Sequence, residues 1–185
     1  VTEERRKMIL PKVKIRRILY ATDLSENAKP AFSFAASLAS LYDAGLIIVH
    51  VLEEHPSLEE KIIGYVRAEQ WEEIKKRNED EARSALIGKI SHRTLISEAL
   101  DRFAREAQES LEEISFRTEG ILVVRGNPVD QILQQSVENG CDLIVMGTHG
   151  EGTLTDAMIG STARRVVRRS RVPVLVVRLP SAGEE

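Results

Sequence analysis

The 185-residue chain carries a single cysteine, Cys141, so no intrachain disulfide can staple it and its stability must come from an apolar core. Cys141 lies at the edge of an apolar run and reads as a core thiol. Neither sign of charge dominates: 26 Lys and Arg stand against 29 Asp and Glu, a net charge of −3. That balance argues against nonspecific nucleic-acid binding, which needs a strong basic field. No apolar run approaches the roughly 18 residues that cross a bilayer, so no membrane span is expected. The opening stretch VTEERRKMILPK is charged and lacks the apolar stretch of a signal peptide. With the lone cysteine, this leads us to expect a cytoplasmic protein. The phosphate loop Gly-x4-Gly-Lys-Ser/Thr is missing, and His50, His55, His92 and His149 show no recognised metal spacing. Repeats and low-complexity linkers are also missing, so one domain spanning 1–185 is expected. What is present is 42% hydrophobic residues, enough for a well-buried core.

Strand and helix patterns alternate along the chain. Residues 13–22 (VKIRRILYAT) read as a first strand ended by Asp23-Leu24-Ser25. Ser25 or Asn27 is placed to cap the following helix, with Phe32, Ala35, Ala36, Ala39 and Tyr42 at helical spacing. The β-branched run 46–52 suits a parallel strand covered on both faces. A third strand is expected at 121–124, then Asn127 as N-cap and Pro128 as first helical residue. Val129, Ile132, Leu133 and Val137 form the apolar stripe of that helix, and Gly140 its left-handed cap. Residues 143–146 make a fourth strand. A last helix buries Ala163, Val166 and Val167 and puts Arg164, Arg165, Arg168 and Arg169 on a solvated side; 172–177 make the fifth strand.

Between strands two and three the spacing predicts a crossover helix over 96–114 (Ile96, Leu100, Phe103, Ala107, Leu111, Ile114). A capping-box pattern at Ser57-Leu58-Glu59-Glu60 starts an additional helical segment carrying Val66, Trp71 and Ile74. This makes 54–95 a helical insertion, an arm or a lid, with Trp71 packing it onto the body or a second subunit. The pattern implies an α/β fold with a mostly parallel sheet between helices. Ligands of such sheets bind beyond the carboxyl ends of the strands, where strand order reverses.

The most informative stretch follows strand four. Gly147, Gly150 and Gly152 allow positive φ and close backbone approach. Gly160-Ser161-Thr162 then offers amides and two hydroxyls at a helix start, an arrangement suited to an anion such as a nucleotide phosphate. Asp23, on the same rim, can accept hydrogen bonds from ribose hydroxyls.

The spacing Gly147-x2-Gly150-x9-Gly160-Ser161 resembles the nucleotide-binding signature of the universal stress protein family. ILYATDLSENA, ILVVRGNPVDQIL, DLIVMGTHG and SRVPVLVVR resemble further blocks of that family, in the same order. The resemblance implies a five-stranded parallel sheet of order 3-2-1-4-5, of the Rossmann-like, adenine nucleotide alpha hydrolase-like type, with the insertion between strands 2 and 3. It also implies binding of ATP, or ADP or AMP. Carried over by position, Thr22 and Asp23 would meet the adenine or ribose, Val51 the adenine, and Gly126 the ribose. Met146 and Gly147 would lie beneath the nucleoside; His149, Gly150, Gly160, Ser161 and Thr162 would hold the phosphates. Glu151 departs from what a phosphate prefers, so a triphosphate would bring a bridging cation such as Mg²⁺. A homodimer through the fifth strand, from Val172 to Val177, is the further expectation. The implied role is regulatory, a stress-response binding protein acting through nucleotide-dependent conformation or dimerisation. The alternatives are a slow ATPase using Asp23, His149 or Glu151, and an interaction module with an empty site. A phosphoacceptor domain fits poorly, because strand three ends in Arg125-Gly126 and strand five in Arg178.

Overall fold

The computed structural model describes residues 12–25, 28–52, 66, 69–74, 76–77, 92–111, 114–148 and 159–178. Its elements are β1 (Arg17–Thr22), α1 (Lys29–Tyr42), β2 (Gly45–Leu52), α2 (His92–Ser110), β3 (Arg117–Arg125), α3 (Pro128–Glu138), β4 (Leu143–Gly147), α4 (Ser161–Arg169) and β5 (Val174–Val177). The strands form one parallel five-stranded sheet in the order β3-β2-β1-β4-β5. β1 is flanked by β2 and β4, so strand order reverses between β1 and β4, and parallel sheets of this kind receive ligands in the crevice outside the carboxyl ends at that point.

Alternation along each strand sorts the core onto two faces. Ile18, Tyr20, Leu46, Ile48 and Val145 pack with the alanines of α1 and with Ile96 and Leu100 of α2. Phe32 centres this layer, with Tyr20, Phe103 and Phe116 edge-on to it at centroid distances of 5.4, 4.9 and 5.5 Å. Leu19, Ala21, Ile47, Val49, Ile144 and Met146 pack on the other face with Val129 and Ile132 of α3 and Ala163 and Val166 of α4. Cys141 belongs to this second layer, and burial pushes its thiol up to about 11.

The helix ends follow local chemistry. Asn127 Oδ1 accepts from the Val129 and Asp130 amides at 3.0 and 3.3 Å, and Pro128 opens α3. Gly140 takes φ +59° just past that helix.

Several expectations are corrected. Residues 13–16 precede β1, with Val13 exposed. β3 begins at Arg117, well before 121, and β5 begins at Val174, because Ser170 Oγ and the Val172 backbone bond each other in a turn. α2 runs from His92 to Ser110 and stops short of Ile114; the Gln108 side chain receives the Phe116 amide and donates to the Ile114 carbonyl as the chain leaves the helix. Tyr42, Val137 and Val167 are exposed. On α3 the buried stripe instead takes in Gln135 and Ser136, whose polar groups are met within the helix region by Glu138 and the Leu133 carbonyl. Ser25 does not cap α1: the N-cap is Ala28, without a side-chain bond. Gly147 closes β4 as a strand residue, and positive-φ glycines among the described residues are Gly126 and Gly140.

Asn27, the Ser57–Glu60 capping box, Gly152 and most of the 54–95 segment lie outside the described residues. The part described is docked on the body: Val66, Trp71 and Ile74 are buried in the α1/α2 layer. Gln70 donates to Glu106, Arg102 pairs with Glu73 at 3.3 Å, and Arg77 pairs with Glu98.

Candidate functional site

The carboxyl ends of the strands bring most of the expected residues onto one rim. Thr22 ends β1 in register with His50 of β2. Val51 lies opposite Val124, and the Gly126 amide donates to the Leu52 carbonyl at 3.4 Å. Ala21 pairs with Met146, and Gly147 with Val177. Val51 and Met146 share the α3/α4 face of the sheet. Met146 and Thr22 are buried, Asp23, Val51 and Gly147 half-buried, and Gly126 exposed.

The β1–α1 turn is tightly wired. Leu24 has φ 68° with its side chain fully buried, a conformation an L residue holds only when its surroundings enforce it. Its amide donates to Thr22 Oγ1 at 3.0 Å. Ser25 donates twice to Asp23 Oδ1, through its hydroxyl at 2.7 Å and its amide at 3.1 Å. His50, buried, donates from Nδ1 to the Thr22 carbonyl at 2.9 Å, and a carbonyl acceptor fixes the proton on that nitrogen.

On the other side of the crevice, the Thr148 amide donates to the Val177 carbonyl, and the Thr148 carbonyl accepts the Gly160 amide at 2.8 Å. This ties the start of α4 to the end of β4. Gly160 is the N-cap with φ −54°, and no side chain caps the helix. The first amides of a helix have no intrahelical partner, so Ser161, Thr162 and Ala163 present donors there. Ser161 is exposed and Thr162 half-buried. Thr148 Oγ1 is buried and has no hydrogen-bond partner among the described residues, an uncommon condition for a hydroxyl.

Gly126 has φ +138°, and a Cβ there would also meet Gln131 Cγ at 3.3 Å. Glycine is therefore required at this rim position. His149, Gly150 and Glu151 lie outside the described residues. Sequence reasoning missed the Ser25–Asp23 bonds, the left-handed Leu24, the His50 contact and Thr148. A polar His50 inside the β-branched run LIIVHVL is the one signal that points to such a contact.

The donor set fits an anionic, hydroxyl-bearing ligand: amides at one end, a half-buried carboxylate at the other. Among the described residues no group of three His, Cys, Asp or Glu side chains could hold a metal ion. No helix among them is long and apolar enough to cross a membrane.

Residues 14–178 match the sequence model of the Universal stress protein family. Universal stress protein MJ0577 of Methanocaldococcus jannaschii is 27% identical over 175 residues, covering 90% of this chain and 96% of its own length. A universal stress protein of Thermus aquaticus is 30% identical over 163 residues, covering 88% and 98%. The solved structure of MJ0577 superposes with a TM-score of 0.59 at 28% identity over 92% of this chain and 100% of its own. A universal stress protein in complex with cAMP shares the fold, with a TM-score of 0.55 at 21% identity over 91% and 100% of the two chains.

Proposed function

This chain belongs to the universal stress protein family, and we propose that it binds an adenine nucleotide, ATP or its relatives ADP and AMP, across the crevice between β1 and β4. The supporting observation is the seam where the Gly160 amide meets the Thr148 carbonyl, which starts an uncapped helix at the end of the strand beside Asp23. Phosphates would sit on the Gly160-Ser161-Thr162 turn together with His149 and Gly150. The nucleoside would lie over Met146 and Gly147 between Thr22, Asp23, Val51 and Gly126. A relative of the same fold binds cAMP; at its identity that likeness carries the fold, and the ligand assignment rests on the rim residues. Mg²⁺ would enter coordinated by the phosphates.

The role is regulatory. A nucleotide that prefers one conformation shifts the protein toward it by its differential affinity. The edge strand β5, with Val174, Leu175 and Val176 only partly buried, is the surface through which two copies would pair, in a cytoplasmic setting. Calorimetric titration with AMP, ADP and ATP, with and without Mg²⁺, tests the reading: saturable binding of at least one supports it, and no heat at millimolar concentrations refutes it. Light scattering with and without nucleotide tests the dimer; a monomer in both conditions refutes that part.

A further inference from the structure

We infer that Ser25 is a positioning residue for Asp23, and that the pair makes the site select nucleotides offering a sugar hydroxyl. This rests on the nucleotide-binding reading above and deepens it. The two oxygens of Asp23 are in different situations. Oδ1 accepts from the Ser25 hydroxyl at 2.7 Å and the Ser25 amide at 3.1 Å; Oδ2 takes no hydrogen bond from any described residue. The two bonds restrain the aspartate through Oδ1 and leave Oδ2 as the oxygen to which a further donor can bond.

Ser25 is itself immobile. It is 3% exposed, and its carbonyl accepts the Ala28 amide at 2.9 Å at the start of α1. Between the two residues, Leu24 stores backbone strain and anchors the turn with its buried side chain. Upstream, His50 holds the Thr22 carbonyl. The carboxylate is thus preorganised before any ligand arrives, which lowers the ordering cost of recognition.

A carboxylate oxygen can only accept, so its partner must donate. Amides and hydroxyls on the α4 side of the crevice suit the phosphate end of a ligand, which leaves the nucleoside end for Asp23. The donors there are the sugar hydroxyls and the base amine. A half-buried carboxylate next to Thr22 at the end of β1 suits the hydroxyls, which donate to a single oxygen. A site that is built to pair with a hydroxyl discriminates against the analogue lacking it, because an acceptor covered by the bound ligand is then left unpaired.

The test compares ATP with 2′,3′-dideoxy-ATP by calorimetry on the full chain. Wild type should prefer ATP by about tenfold or more, the size of a hydrogen bond to a charged group. Ser25→Ala should reduce that preference severalfold while leaving dideoxy-ATP affinity unchanged. Ser25→Thr, which keeps the hydroxyl, should retain it. Asp23→Asn should abolish the preference, and adding Ser25→Ala to it should change nothing more. Ser25→Cys, closer in size, replaces Ser25→Ala if melting curves show that the alanine variant is unfolded. A Ser25 variant with the full preference, or one that weakens both nucleotides equally, would overturn the inference, the second marking a merely structural role. Wild type binding both nucleotides equally overturns it while leaving nucleotide binding intact. Wild type binding neither refutes the underlying functional reading as well.

Discussion

Gly45 opens β2 at the amino-terminal rim of the sheet, and replacing it with alanine isolates one electrostatic contact. The β2–β3 register shifts between Leu46 and Ile47, so Glu119 on β3 is left unpaired by the ladder. Its carboxylate lies over Gly45, where an added Cβ would come within 2.5 Å of Oε2. The carboxylate also holds Arg17 Nε at 3.0 Å and Arg117 at 3.1 Å. Gly45→Ala must therefore displace the Glu119 head group and break both pairs. The arginines are half-exposed or more, at 50% and 61%, so each pair contributes only about 0.2–1 kcal/mol. Losing both costs about 0.5–2 kcal/mol. Against this, Gly45 has no positive φ, and alanine there restricts the unfolded chain, a gain of about 0.4–1 kcal/mol. The two terms nearly offset, leaving a net between a gain of about 0.5 and a loss of about 1.5 kcal/mol, where each kcal/mol moves Tm by about 2–4 °C for a chain of this size.

The sharper expectation is a difference between two backgrounds. In a Glu119→Ala background nothing remains for the methyl to displace, and Gly45→Ala should stabilise by about 0.4–1 kcal/mol. A double-mutant cycle followed by urea denaturation reads this directly. Equal destabilisation by Gly45→Ala in both backgrounds would show that the backbone, not the carboxylate, demands glycine, and would refute the reasoning.

The same cluster predicts a pH dependence. Hydrogen bonds from Arg117 and then Arg17 hold Glu119 below its usual 4.5, so its contribution is complete above that value and disappears as pH falls through the folded-state value. The Tm gap between wild type and Glu119→Gln should be constant at neutral pH and close in acid below about pH 4.5; a gap that widens there would contradict it. Gly126→Ala forces an L side chain to φ +138° and should cost about 1–3 kcal/mol in denaturant melts, and Gln131→Ala should not restore it, because the strain is in the backbone. Thr148→Val removes a buried hydroxyl with no partner and should leave stability unchanged or raise it by about 1 kcal/mol; a loss of that size would mean the hydroxyl is hydrogen-bonded in solution.

Much of the scaffold was legible because it rests on local chemistry. Asn127-Pro128 starts a helix wherever it occurs before an apolar stripe, and Gly140 ends one. Where the reading slipped, tertiary context had overridden pattern. RTEG at the start of β3 looks polar, yet it pairs along β2 because its charges point to the rim cluster around Arg17. Val137 and Val167 look like core and face water because the neighbouring positions already fill the space beneath their helices. In the candidate site, Asp23 and Gly160 announced themselves by residue type and Gly126 by the family resemblance. Leu24 did not, since leucine has no tendency toward positive φ, and Thr148 did not, since the fate of a hydroxyl depends on neighbours distant in sequence.

The two ends of the sheet differ in how their polar groups are met, and that contrast bears on where a ligand goes. At the amino-terminal rim, Asp142 accepts the Arg16 and Arg17 amides, Arg17 reaches the Asn139 carbonyl, and Glu119 joins Arg17 and Arg117. That end is closed by the protein's own charges. At the carboxyl rim, among the described residues, α4 begins without a side-chain cap, the Thr148 hydroxyl and Asp23 Oδ2 meet no hydrogen-bond partner, and Leu24 is strained. Unmet donors and acceptors in a folded protein cost stability, and strain persists only where the surroundings hold it. Both features lie on the side where parallel sheets receive ligands, which is why the nucleotide proposed above is placed at this rim and not at the other.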